Sequence, residues 1–208
     1  MAITNYTELQ AAIKSWLRRS DMDTIIPDLI TLGEDRVYRN LRVRAMEASI
    51  SGTMAAGVLA VPSDYVSLKH AYISSTSPIQ WLERKAAEWM YRNDPFRNQR
   101  TAVPKYIARE GSSFIFAPWP AQDYTVGGIY YKRLDPVSTS VNAVFNENPG
   151  LWLFGALCES APYIHNDKRL PMWEHKFDRL IAEAGGEEYV ENASGGSLRM
   201  TADGMSHP

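Results

Sequence analysis

The chain has 208 residues, 45 % of them hydrophobic and 22 % charged, enough for one sizeable core or two small ones. Its 22 Lys and Arg against 24 Asp and Glu give a formal net charge of −2. That excludes a grip on nucleic acid through overall charge, because affinity for phosphates comes mostly from Lys and Arg.

Cys158 is the only cysteine, so neither an intrachain disulfide nor a thiolate metal cage can form, and the chain suits a reducing cytoplasm. No apolar run approaches the roughly 20 residues of a membrane helix, so no membrane insertion is expected. Met1 to Asn5 shows neither a basic leader nor an apolar signal core.

Asn5 with Glu8 three residues on makes a helix start, and Tyr6, Leu9, Ile13, Trp16 and Leu17 form an apolar stripe to about Arg19. After the polar break at Ser20 to Asp23 a second helix begins near Pro27, with Ile26, Ile30, Val37 and Leu41 on its buried face. The period then shortens. Strands are predicted over 45–50, 58–61, 65–74 and 79–82, with Val66, Leu68 and Tyr72 sharing one side of the third. A helix follows from about Glu83 to Tyr91, and three more strands over 104–109, 114–117 and 124–133. Helical spacing returns near Pro149, with Leu151, Phe154, Leu157, Cys158 and Ala161 on one face and Pro162 expected to end or kink it. Asp167 is a candidate cap for a last helix carrying Leu170, Trp173, Phe177, Leu180 and Ile181.

This order predicts an α+β chain. Residues 1–44 and 147–190 are expected to form an antiparallel helical bundle. Residues 45–146 would be an inserted antiparallel sheet or small barrel with one helix, and 191–208 an extended tail. The tail is too rich in Gly and Ser to order itself. It would need a partner chain, with Leu198, Met200 and Met205 as apolar anchors and Arg199 as the polar one.

Signs of catalytic chemistry are weak. Glu174-His175 sits beside Asp178 on the last helix, where His175 and Asp178 could share a face, but the paired histidines of a metal-bound hydrolase are absent. Cys158 and His165 lie seven residues apart with Pro162 between them, so a buried apolar cysteine is the better reading. No Gly-rich phosphate loop and no serine elbow occurs. No cofactor, metal site or catalytic residue is assigned, and the chain is expected not to be an enzyme.

The aromatics stand out: 6 Trp, 11 Tyr and 6 Phe. Tyr106, Phe114, Phe116, Trp119, Tyr124, Tyr130 and Tyr131 crowd the β region beside Arg100, Lys105 and Arg109. They either fill a barrel core, face a neighbouring subunit, or stack single-stranded bases. Arg18, Arg19, Arg39, Arg42 and Arg44 gather near the ends of the first two helices, where cations meet the helix dipole. With Trp119 and Tyr131 they are candidates for inter-subunit or channel contacts.

Several segments resemble one family. They are Asn5-Tyr6-Thr7-Glu8-Leu9, Trp16-Leu17-Arg18-Arg19-Ser20-Asp21, Ile26-Pro27-Asp28-Leu29-Ile30, Arg42-Val43-Arg44-Ala45-Met46-Glu47 and Val61-Pro62-Ser63-Asp64-Tyr65. Leu157-Cys158-Glu159-Ser160-Ala161-Pro162-Tyr163 with Asp167, Trp173 and Phe177 completes the set. In order and spacing the chain resembles the head-to-tail adaptor (connector) proteins of tailed bacteriophages, the tail-tubular-protein-A-like group. The resemblance implies a virion protein at the head–tail junction, made in the bacterial host cytoplasm and assembled as a ring of about twelve copies. It implies that the tail docks on the portal, that the other face receives a tail nozzle or fibre protein, and that double-stranded DNA passes through without sequence reading. The alternative is a single-stranded nucleic-acid-binding module using the aromatic β face.

Overall fold

In the computed structural model residues 3–19, 21–95, 101–164 and 167–193 are described, with side chains up to Gly186 in the last helix. The chain divides into two compact units, residues 1–45 with 135–208, and residues 46–134.

The first unit is helical. Helix α1 (Tyr6–Leu17) starts as its sequence dictates: Asn5 Oδ1 accepts the Glu8 N–H at 2.9 Å. The Glu8 carboxylate turns back one residue further than a simple capping box, taking the Thr4 N–H at 2.7 Å and the Thr4 hydroxyl at 2.8 Å. Helix α2 (Ile26–Asn40) has Pro27 in its first turn, where a missing N–H costs no helical hydrogen bond. A short helix α4 (Ala143–Glu147), capped by Asn142 on the Phe145 N–H at 2.9 Å, leads into α5 (Pro149–Ile164). Helix α6 (Leu170–Ala193) closes the unit.

Helix α5 is buried almost all round, with Leu151, Trp152, Ala156, Leu157 and Cys158 inside, and it packs on α1, α2, α4 and α6. Small residues set its approach to α2. A Cβ added at Gly33 would lie 2.6 Å from the Ala156 nitrogen, so the two backbones touch where no side chain intervenes. Pro162 falls inside α5, and the helix runs only two residues past it.

The second unit is a seven-stranded sheet in the order β1-β7-β3-β4-β5-β6-β2. Its strands are β1 (Glu47–Met54), β2 (Val58–Ala60), β3 (Tyr65–Ile73), β4 (Gln80–Arg84), β5 (Tyr106–Glu110), β6 (Ser113–Ala117) and β7 (Tyr124–Lys132). The two outermost strands come side by side through the tight turn at Ala55 to Gly57. A Cβ at Gly52 on β1 would lie 2.8 Å from Leu59 on β2. The sheet thus curls into a nearly closed barrel around Met54, Ile73, Phe114, Phe116 and Val126.

These observations correct the expected architecture, an antiparallel helical bundle with an inserted antiparallel sheet or small barrel, while residues 194–208 of the expected extended tail lie outside the described residues. The fold is mixed α+β, with a large seven-stranded barrel-like sheet and six α-helices among the described residues. The sheet is not purely antiparallel: β4 pairs in parallel with β5 at Glu83–Tyr106 and Arg84–Ile107. Helix α3 (Ala87–Asn93) lies between those strands in sequence and carries the chain back, the long return that parallel pairing requires. Helix α6 extends to Ala193, into the stretch read as tail, and α4 was not anticipated.

Candidate interaction surfaces

The structure separates the aromatic-rich segment into core and surface. Phe114, Phe116, Tyr124 and Tyr130 are buried in the barrel, so those four rings are closed to a stacked base. Tyr130 also donates its hydroxyl to Asp64 at 2.9 Å, and burial, ahead of that bond and the Asp64 charge, holds its phenol above the ordinary value. Tyr106 is half-buried, 4.8 Å from Trp89, with the Lys85 ammonium 5.3 Å from the Trp89 ring. Trp119 is half-buried against Gly57, and Tyr131 lies 5.9 Å beneath the Lys69 ammonium. Arg109 sits 5.0 Å over the Tyr65 ring and Lys105 is exposed, whereas Arg100 lies outside the described residues.

The aromatic platform that does face solvent is a different one. Trp81 is 61 % exposed and packs at 5.4 Å on Tyr72 and 5.6 Å on His70. Tyr72 was expected on the same side as Leu68, but a register shift between Leu68 and His70 sends them to opposite faces. Leu68, Ala71 and Ile73 turn into the barrel, while His70 and Tyr72 turn out. Tyr72 then covers Gly127, where an added Cβ would lie 3.0 Å from the ring. The bulge carries no mark in the residue types, so period-two counting missed it.

The arginines are not one cluster. Arg19 donates to Asp21 at 2.6 and 3.0 Å, and those bonds hold the Asp21 carboxyl below its ordinary range. Arg39 and Arg42 serve α2's own C-terminal end, donating to the carbonyls of Asp35 at 3.2 Å and Tyr38 at 2.6 Å. Arg44 lies in a 3-10 turn and is exposed. Arg18 stands exposed in the left-handed conformation, φ 54°, at the end of α1. Arg36 ties three helices. It reaches Glu159 at 3.2 Å and Glu174 at 3.8 Å and lies 5.0 Å over the Phe177 ring.

Cys158 is buried, and burial pushes its thiol up to about 11, ahead of the opposing pull of Arg36. A thiol so placed is a small apolar group at neutral pH. His175 and Asp178 are exposed, while Glu174 is engaged with Arg36; His165 lies outside the described residues. Among the described residues no three His, Cys, Asp or Glu come together as a metal site. No described helix is long and apolar enough to cross a membrane. The anchors read in the tail, Leu198, Arg199, Met200 and Met205, lie outside the described residues.

Comparison with curated proteins gives no match. The model of the SU10 adaptor protein family matches residues 4–201, a stretch that includes the barrel and every described helix, and the chain therefore belongs to the SU10 adaptor protein family.

Proposed function

We propose that the chain is a ring-forming subunit that joins the portal of a tailed-phage head to its tail and lines the channel through which DNA passes. Family membership supplies the coarser half of this reading, a structural phage adaptor located in the virion and bound to other head or tail proteins. The ring, the portal, the nozzle or fibre partner and the placement in the tail-tubular-protein-A-like group are the proposed half. The observation that carries it is a family match running through both units rather than one.

Two features support it. Large aromatics stand in water on both units, Trp16 on α1 and Trp81 on β4, the residue type enriched at protein interfaces. The net charge of −2 suits a conduit that must not hold its cargo tightly. The reading is tested by deleting the gene from the phage that encodes it. Electron microscopy of the lysate should then show filled heads without tails. Normal tailed particles would overturn the proposal.

A further inference from the structure

Where α1 ends and α6 begins, the helical unit carries an open groove of about 510 Å³ lined by Ser15, Trp16, Arg18, Arg169, Met172 and Trp173. Its apolar half is large and wet. Met172 is 50 % exposed, and Trp16 is 41 % exposed although Phe154 holds its ring edge-on at 5.4 Å.

Its polar half consists of donors in different states. Arg169 is fully engaged: it binds Asp167 at 2.7 Å, donates from Nη1 to the Trp16 carbonyl at 2.9 Å, and lies 4.8 Å over the Trp173 ring. Arg18 is not. Among the described residues its guanidinium makes no hydrogen bond and no ion pair. Trp173 is fully buried, and its indole N–H is the one buried side-chain group among the described residues without a hydrogen-bond partner. A buried donor left open in this way is uncommon, because its desolvation is not offset.

We propose that this groove docks an extended segment of another protein chain that carries a large apolar side chain next to a carboxylate. The apolar side chain covers Trp16 and Met172, removing both from water. The carboxylate meets Arg18, the lining cation whose charge is unmatched. A nucleic-acid strand fits less well, because the second lining cation is already neutralised by Asp167 and half of the lining is apolar. The inference does not depend on the ring or on the portal.

Fluorescence anisotropy on the full chain tests it with three labelled probes. The first is a short peptide with a central Leu-Phe pair flanked by Asp, and the second is its counterpart with Lys for Asp. The third is a peptide of residues 194–208 of this chain. The acidic peptide should bind, and the Lys version should bind about tenfold more weakly or worse. Arg18→Glu, a change at an exposed position, should weaken the acidic peptide by about tenfold, and Met172→Ala by about fivefold. Circular dichroism identical to the parent chain would confirm that both variants are folded. No binding of the acidic peptide, equal binding of both designed peptides, or indifference to Arg18→Glu would overturn the proposal. Preference for the 194–208 peptide would also overturn it, making the occupant a second copy of this chain.

Discussion

The carboxyl of Glu34, buried on α2, accepts the indole N–H of Trp152 on α5 at 3.1 Å. The same oxygen takes the backbone N–H of Val137 at 2.8 Å, so one side chain fixes the helix pair and the point where the chain re-enters the helical unit. Its negative field reaches α1 as well. Burial first, and the Glu34 charge second, hold the Tyr6 phenol above its ordinary value.

Glu34→Ala leaves two donors of the interior without an acceptor, each worth about 1–3 kcal/mol. The variant should lose about 3 kcal/mol in urea unfolding. Glu34→Gln, which keeps one carbonyl in place, should lose about 1 kcal/mol. Equal losses for the two would show that the acceptor is not what matters.

The α2–α5 contact makes a second prediction. At Gly33 a Cβ meets backbone, the Ala156 nitrogen at 2.6 Å, which cannot swing aside like a side chain. Gly33→Ala should therefore force the helices apart and cost about 2–3 kcal/mol. Gly185 on α6 is the control, since nothing lies within 4 Å of its added Cβ. Gly185→Ala should stabilise by roughly 0.5–1 kcal/mol through helix propensity alone.

Cys158 predicts a pH effect of definite sign. Its thiol is pushed from 9.0 to about 11 by burial, so the folded state favours the protonated form. That contribution is complete below pH 9 and is lost as the pH rises towards 11, because only the unfolded chain then releases the proton. The unfolding free energy should fall across that window, and Cys158→Ala should flatten the fall. At pH 8 the native thiol should resist a disulfide reagent and react only when the chain unfolds.

Much of this was legible in the residues. Asn5 and Pro27 mark helix starts, and Asn5 places its side-chain oxygen on a backbone N–H as its type demands. Most strand positions followed from apolar alternation, and helical spacing marked α5 as a helix with one apolar face, although the structure buries it almost all round. Three things were hidden. The bulge between Leu68 and His70 depends on pairing with β7, which no local pattern encodes. The parallel β4–β5 pairing follows from where α3 sends the chain, a tertiary fact. The groove at Trp16 and Trp173 joins residues more than 150 positions apart, each reading alone as one more apolar residue on a helix stripe.

The most direct test of the adaptor reading is co-sedimentation of the full chain, and of a truncation ending at Val190, with the portal protein from the same genome. The account predicts that the full chain travels with the portal as a multi-copy complex, and that the truncation shows whether residues 191–208 carry the docking. Failure of the full chain to co-sediment with that portal would contradict it.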